Sequence, residues 1–126
     1  MQVLGIDHAT IKTPRMAETR AFFEGVLGLQ AGPTPDFDET VLWLCAGGRD
    51  VVHIVAADES KAASKDASIN HFALRIDDYD GAVAQLERCG VPFKTATTPG
   101  GELRQIYVTD PNGVRVELNC PGRAPE

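Results

Sequence analysis

Three histidines and one glutamate stand at matched positions in the two halves of this sequence. His8 and His71 each follow an isoleucine and an acidic or amide residue, and they lie 63 residues apart (71 minus 8). His53 and Glu117 each sit inside a short apolar run, 64 residues apart (117 minus 53). Two offsets that nearly agree indicate an internal repeat. Imidazole and carboxylate groups suit zinc, iron, nickel or manganese, so the repeat predicts a metal site.

The apolar neighbours of these four residues predict which way the side chains point. Aliphatic residues flank both His53 and Glu117, and strand side chains alternate between two faces. The apolar neighbours then pack beneath helices, and the four polar groups share the opposite face. A single strand histidine is more often an ordinary hydrogen-bonded residue, and a single strand glutamate an exposed one. The repeat favours a common role instead: His8, His53, His71 and Glu117 bind one divalent metal ion.

Two aromatic residues are expected to line the same site. Asp110-Pro111-Asn112-Gly113 has strong turn chemistry, and if Asp110 pairs with Val114 across it, Tyr107 lies opposite Glu117. The repeat then puts Trp43 opposite His53. Both aromatics are predicted to line a substrate cavity, although a position in the core is the alternative for either.

The elements that must position these residues follow the same order in each half: strand, helix, then a hairpin. The first helix opens at Pro14 and stops at Gly28, and the second is capped by Asp78 and stops at Gly90. The predicted strands span residues 4–12, 41–45 and 50–55 in the first half, and 69–76, 105–109 and 114–119 in the second. The pattern predicts an α+β fold of two βαβββ modules in tandem, forming a curved mixed sheet around the metal.

The modules are expected to form one domain over residues 1–126. Module one covers about residues 1–57 and module two about residues 69–120. Small polar residues predict a linker over about 58–68, and a short tail follows at 121–126. A chain of 126 residues is long enough for one core and too short for two independent domains.

Composition excludes several classes of partner. Lys and Arg number 12 against 18 Asp and Glu, and the formal charge of -6 would repel nucleic acid. No apolar run approaches the roughly 20 residues of a membrane span, and the amino terminus does not resemble a signal peptide. Three widely spaced cysteines favour neither a disulfide framework nor a cysteine zinc site. We expect a cytoplasmic protein with no membrane or nucleic-acid partner.

Taken together, the motifs resemble the vicinal oxygen chelate superfamily, over essentially residues 3 to 119. This superfamily includes glyoxalase I, methylmalonyl-CoA epimerase, extradiol dioxygenases, fosfomycin-resistance enzymes and bleomycin-resistance proteins. The residues that carry the resemblance are Asp7-His8, Ala21-Phe22-Phe23, Leu27-Gly28-Leu29, Asn70-His71-Phe72-Ala73-Leu74, Asp110-Pro111-Asn112-Gly113 and Val116-Glu117-Leu118. The resemblance implies a glyoxalase-like fold, with His8, His71 and Glu117 at three of the family's metal positions.

The fourth metal position departs from the glyoxalase and epimerase pattern, which often has glutamate or glutamine where this chain has His53. The leading interpretation is a metal-dependent lyase or isomerase whose small substrate binds through neighbouring oxygens, with Glu117 or His53 as the catalytic base. An Fe(II)-dependent extradiol-type dioxygenase, using His8, His71 and Glu117, is the first alternative.

Two further alternatives are a metal-free drug-binding protein and a fosfomycin-modifying enzyme. The cofactor is one divalent ion, Zn, Ni, Fe or Mn. Family members complete the site within one chain or across two, and we expect a homodimer. His53 is interpreted as a metal ligand because it matches Glu117 in the repeat, and proton transfer by a His53 just off the metal is the alternative.

Overall fold

The computed structural model describes residues 1–36, 40–59 and 63–122. The chain divides into two compact units, Met1–Lys61 and Ala62–Glu126, which are called module one and module two below. Part of the predicted linker, residues 60–62, lies outside the described residues. Another part, Ser64–Asp66, forms a short 3-10 helix at the start of module two.

Module one is a four-stranded mixed sheet with one helix. Its elements are β1 (Ala9–Thr13), α1 (Met16–Arg20) continuing as a π-helical segment (Ala21–Val26), β2 (Gln30–Ala31), β3 (Val41–Ala46) and β4 (Arg49–Ala56). The strand order is β1-β4-β3-β2. The first and last strands pair in parallel, because the helical crossover brings the chain back in the same direction, and the other pairs are antiparallel.

Module two repeats this arrangement strand for strand. Its elements are β5 (His71–Arg75), α2 (Tyr79–Arg88), β6 (Lys94–Thr97), β7 (Leu103–Thr109) and β8 (Arg115–Pro121). The order β5-β8-β7-β6 matches that of module one, with β5 and β8 parallel. The predicted α+β fold of two tandem βαβββ modules is therefore confirmed. In both modules the strand that begins at or just after a histidine lies beside the strand that carries His53 or Glu117.

Helix α1 and its π-helical continuation bury one face. Thr19, Phe22 and Phe23 are all buried, and the two phenylalanine rings meet edge to face at 5.1 Å. The backbone N–H of Leu27 donates to the carbonyl of Phe22, five residues earlier, as a π-helical turn requires. Gly28 then adopts φ +78°, a left-handed conformation that suits glycine and ends the helix as predicted.

The residues predicted to begin and end α2 do so in the structure. The Asp78 side chain accepts a hydrogen bond of 2.9 Å from the backbone N–H of Gly81, so it caps the amino terminus. Gly90 has φ +68° just beyond the last turn. Leu86 is the buried residue of this helix, and it anchors α2 within module two.

The turn between β7 and β8 sets the register of the second hairpin. The backbone N–H of Asp110 donates to the carbonyl of Val114 at 2.9 Å, which is the predicted pairing. The Asp110 carboxylate is buried and accepts from the backbone N–H groups of Asn112 and Val114, each at 2.8 Å. Gly113 takes φ +81° within this turn. Because the turn is fixed, Tyr107 lies directly opposite Glu117.

The predicted boundaries differ most from the structure in three strands. β1 begins at Ala9, not at residue 4, because its ladder with β4 starts where Ala9 meets Val52. β5 likewise begins at His71, opposite Arg115, and ends at Arg75. At the other end, β8 runs to Pro121, which pairs with Leu103, so residue 121 belongs to a strand and not to the predicted tail. Residues 123–126 of that tail lie outside the described residues.

Within the described residues, no helix is long and apolar enough to cross a membrane. All three cysteines are free.

Candidate metal centre

In module two, strands β5 and β8 carry two of the predicted ligands. Glu117 lies in the middle of β8, opposite Ala73, and His71 is the first residue of β5. The imidazole reaches across the parallel pair, so that Nε2 of His71 lies 3.7 Å from Oε2 of Glu117. Glu117 is only 6% exposed, whereas His71 is exposed to solvent. These two predicted ligands are therefore brought together.

Three side-chain donors hold the Glu117 carboxylate. Oε1 accepts from Nε2 of Gln105 and from the hydroxyl of Tyr107, each at 2.5 Å. Oε2 accepts from Nδ2 of Asn119 at 3.2 Å. With two donors already on Oε1, the less saturated oxygen is Oε2, and this is the one that faces His71. Oε2 is therefore the oxygen of Glu117 that is available to coordinate a metal ion.

The Glu117 carboxylate changes the acidity of Tyr107, which donates a hydrogen bond to it. The hydrogen bond to Glu117, together with burial and the nearby negative charge, raises the pKa of the Tyr107 phenol. The phenol therefore remains a hydrogen-bond donor at neutral pH. Its ring meets His71 edge-on at 6.0 Å, and the Arg115 guanidinium lies 4.3 Å from its centroid on a face. Tyr107 thus lies beside both predicted ligands of module two.

In module one, three stacked rings are centred on His53. His8, directly before β1, stacks on His53 with centroids 3.8 Å apart. Trp43 on β3 stacks on the same imidazole at 4.2 Å and is nearly parallel to it. Because β4 lies between β1 and β3, the two rings flank His53 from opposite sides. His53 is 7% exposed, and the predicted register of Trp43 opposite His53 is confirmed.

Asp50 joins this cluster in module one although alternation along β4 would not predict it. It lies three positions before His53, which in a regular strand places the two side chains on opposite faces. The pairing shifts here: Leu44 pairs with Val52 but Cys45 pairs with Asp50, leaving Val51 as an extra residue. This β-bulge turns Asp50 back to the His53 face.

The aspartate then contacts the histidine directly. Oδ2 of Asp50 lies 2.5 Å from Nε2 of His53. This hydrogen bond is the main cause that lowers the pKa of the Asp50 carboxyl, so the group is ionised at neutral pH. Alternation alone could have identified Gln105 and Asn119, two residues from Tyr107 and Glu117 on the same strands, but not Asp50.

The residue before each repeated histidine fixes its tautomer. Nδ1 of His8 lies 2.8 Å from the Asp7 carboxylate, and Nδ1 of His71 lies 2.7 Å from the amide oxygen of Asn70. These oxygens can only accept, so each Nδ1 donates and each neutral imidazole keeps its lone pair on Nε2. Outer-shell partners of this kind orient histidines that bind metals. Both modules therefore orient the repeated histidine in the same way, with the lone pair on Nε2.

The donor set and its spacing fit a divalent metal ion. Metal–nitrogen and metal–oxygen distances near 2.1 Å let one ion span donor atoms up to about 4.2 Å apart. The 3.7 Å between His71 and Glu117 lies within that span. In module one, donor atoms of His8, Asp50 and His53 all lie within 4.8 Å of one another. Each module pairs two predicted ligands, and the convergence of both pairs on one ion stays a prediction.

A separate pocket in module two contains none of the predicted ligands. It is lined by Arg75, Ile76, Asp77, Cys120 and Pro121 at the ends of β5 and β8. Arg75 lies on the same face of β5 as His71, since the two are four residues apart.

Comparison with known proteins identifies relatives of the whole chain. The family model described as Glyoxalase/Bleomycin resistance protein/Dioxygenase superfamily matches residues 5–118. The mitochondrial methylmalonyl-CoA epimerase of Bos taurus is 23% identical over 126 residues, covering 90% of this chain and 72% of the epimerase.

Solved structures share the fold at similarly low identity. A putative glyoxalase family protein from Bacillus anthracis superposes with a TM-score of 0.81 at 23% identity, covering 96% of this chain and 98% of that one. A mutant of the fosfomycin resistance protein FosX from Listeria monocytogenes, complexed with Mn(II) and 1S,2S-dihydroxypropylphosphonic acid, gives a TM-score of 0.76 at 20% identity. That match covers 95% of this chain and 94% of the other. At these identities the structural likeness concerns the fold alone.

Proposed function

Because this chain belongs to the Glyoxalase/Bleomycin resistance protein/Dioxygenase superfamily, we propose that it is a metal-dependent lyase or isomerase of the glyoxalase kind. Its substrate is a small molecule that binds through two neighbouring oxygens. The observation that carries the proposal is the pairing of Nε2 of His71 with Oε2 of Glu117 at 3.7 Å. A buried carboxylate oxygen and an imidazole nitrogen at this separation suit shared coordination.

The metal would be held by His8 and His53 from module one and by His71 and Glu117 from module two. When bound, a divalent ion polarises the substrate oxygens as a Lewis acid. Asp7 and Asn70 orient the histidines by their hydrogen bonds to Nδ1. Gln105 and Tyr107 hold the far oxygen of Glu117. Each predicted ligand thus has a partner that limits its rotation.

Proton transfer falls to Glu117 or His53. Glu117 is anchored by three donors, so its carboxylate can approach a substrate proton in only one orientation. His53 is stacked between the rings of His8 and Trp43 and is hydrogen-bonded to Asp50. These contacts fix the plane of its imidazole. Positioning of this kind is what general acid–base catalysis requires. Trp43 and Tyr107 are proposed to line the substrate cavity beside these two groups.

A second candidate function, an Fe(II)-dependent extradiol-type dioxygenase, is favoured by one observation. Nε2 of His53 is engaged by Asp50 at 2.5 Å, and in that arrangement His53 is not free to bind through Nε2. The remaining set of His8, His71 and Glu117 has two histidines and one carboxylate, which is typical of non-haem iron oxygenases. In that case His53 would serve the substrate rather than the metal.

We propose that the protein acts as a homodimer. The amino-terminal segment before β1 exposes large apolar side chains, with Leu4 92% and Ile6 89% exposed in the single chain. Ile69, the repeat counterpart of Ile6, is 79% exposed. Single exposed apolar side chains are common on monomers, whereas several in one short segment are typical of an association surface.

The test begins with metal analysis of protein purified without chelator. Protein loaded with Zn, Ni or Mn is then incubated in D₂O with the hemithioacetal of a 2-oxoaldehyde, and proton NMR follows deuterium exchange at the carbon beside the carbonyl. Protein loaded with Fe(II) is given catechol, and oxygen uptake is measured. Exchange supports the lyase or isomerase, and oxygen uptake with ring cleavage supports the dioxygenase. Protein that neither holds nor binds a metal would contradict both and favour a binding protein.

A further inference from the structure

We propose that Asp50 is itself a metal ligand, so that module one offers a His8, Asp50 and His53 triad of donors. This inference rests on the metal site of the proposed function and adds a ligand to it. It concerns a residue that neither the repeat nor strand alternation identifies. Three lines of geometry support it: the placement of Asp50, the spacing of the donor atoms, and the contrast with module two.

The bulge places Asp50 on the metal face. Val51 has no partner on β3, and this single extra residue brings Asp50 to the side occupied by His53 and Trp43. Bulges recur next to functional sites because they re-aim a side chain without disturbing the rest of the sheet. Without the bulge, Asp50 would point to the opposite face of β4. The bulge therefore adds a carboxylate to the side chains of module one that can bind a metal ion.

The donor atoms are close enough to share an ion. One donor atom from each of His8, Asp50 and His53 lies within 4.8 Å of the other two. Side-chain rotations that move these atoms by a few tenths of an ångström bring them within the span of about 4.2 Å that a divalent ion bridges. The His53 side chain is 9% exposed and the Asp50 side chain 35%, so the triad opens to solvent at the aspartate. Two nitrogens and one carboxylate oxygen suit zinc, iron, nickel or manganese.

Module two lacks an equivalent of Asp50 and does not need one. The residue at the matching place is Val114 (50 plus 64), and the β7–β8 pairing runs without a shift from Leu103 to Thr109. Module two already supplies a carboxylate at Glu117, the position that His53 occupies in module one. With Asp50 as a ligand, each module contributes both imidazole and carboxylate. The bulge thus gives module one a carboxylate, which His53 at the position matching Glu117 does not supply.

The experiment compares Asp50→Asn with Asp50→Ala, using Co²⁺ as the probe in the full-length protein. Visible absorption reports the coordination shell, and titration gives the dissociation constant. Asparagine keeps an oxygen that can accept from His53 but is a weaker, uncharged ligand, whereas alanine removes both functions. Asp58→Asn is the matched control, since Asp58 is an exposed acid of module one outside the site. Circular dichroism establishes that each variant is folded.

The ligand assignment predicts that Asp50→Asn weakens Co²⁺ binding by about tenfold or more and alters the absorption spectrum, with Asp58→Asn unchanged. An Asp50→Asn variant that keeps the spectrum and affinity of the parent overturns the assignment. If only Asp50→Ala then loses affinity, Asp50 positions His53 and does not bind the metal. Failure of the parent protein to bind Co²⁺ overturns this inference and the proposed metal site together. Loss of binding in His71→Ala with no change in Asp50→Asn leaves the metal site standing without Asp50.

Discussion

Nε2 of His71 lies 3.7 Å from Oε2 of Glu117, across a parallel strand pair whose register places neither residue directly opposite the other. The contact exists because the His71 side chain leans along β5 toward Glu117, which is held in place by its three donors. The first prediction follows from it. His71→Ala and Glu117→Ala should each lower the affinity for Zn²⁺ by at least about 100-fold, because each removes a directly binding atom and not merely a supporting one.

Isothermal titration calorimetry with metal-free protein measures this loss. Arg75→Ala is the control, since Arg75 shares strand and face with His71 but lies outside the proposed site. Undiminished affinity in both the His71 and the Glu117 variants would remove the proposed site.

The second prediction concerns the hydroxyl of Tyr107. Its hydrogen bond to Glu117 raises its pKa above the ordinary value of 10, so ionisation of the phenol is opposed in the folded state. A group whose pKa is raised by folding contributes stability below its unfolded pKa and loses it as the pH rises through the folded pKa. Metal-free protein should therefore lose stability as the pH rises above 10.

Ultraviolet titration of the phenolate tests this in a Tyr79→Phe background, which leaves Tyr107 as the one tyrosine, since the sequence has two. Adding Glu117→Gln should shift the titration toward lower pH, because it removes the charge that opposes ionisation. An identical titration curve with and without Glu117→Gln would contradict the assigned cause.

The third prediction concerns Tyr107→Phe, which removes one of the hydrogen bonds that orient the Glu117 carboxylate. The ring and its contacts with His71 and Arg115 remain, but Oε1 of Glu117 loses one of its two donors. Loss of a supporting partner of this kind costs about 10- to 100-fold in metal affinity. Competition with a chelator of known affinity measures the change, and thermal unfolding separates it from misfolding. Val114→Ala, in the same hairpin, is the control for local packing.

The fourth prediction distinguishes the two roles of His53. His53→Gln keeps an oxygen that can bind metal but cannot carry a proton near neutral pH. If His53 is a ligand, the variant should lose both metal and turnover on a confirmed substrate. Retention of metal with loss of turnover would instead assign His53 to proton transfer. Metal analysis and activity are measured on the same preparation.

The fifth prediction concerns association. Replacing the exposed Leu4 and Ile6 together by serine should shift the protein from dimer to monomer in sedimentation velocity, because it removes apolar surface that burial would stabilise. The exposed Lys12 of β1, replaced by serine, is the control. A parent protein that sediments only as a monomer at micromolar concentration would contradict the homodimer.

The sequence by itself determined the repeat, and through it most of the architecture. Helix limits at Gly28, Asp78 and Gly90 depend on local backbone conformation and capping, which neighbouring residues decide. The facing of Tyr107 and Glu117 followed from one turn, because the turn sets the hairpin register and register sets every side chain beyond it. These features need no information from distant parts of the chain.

Tertiary structure decided what depends on strand pairing and on side-chain contacts between strands. β1 starts at Ala9 and not at residue 4, because a strand extends only as far as a partner is present to take its hydrogen bonds. Asp50 reaches His53 because a shift in the β3–β4 pairing reverses the alternation that sequence reading assumes. Residue types indicated the candidate ligands, but only strand pairing determined which acidic side chain lies next to which histidine.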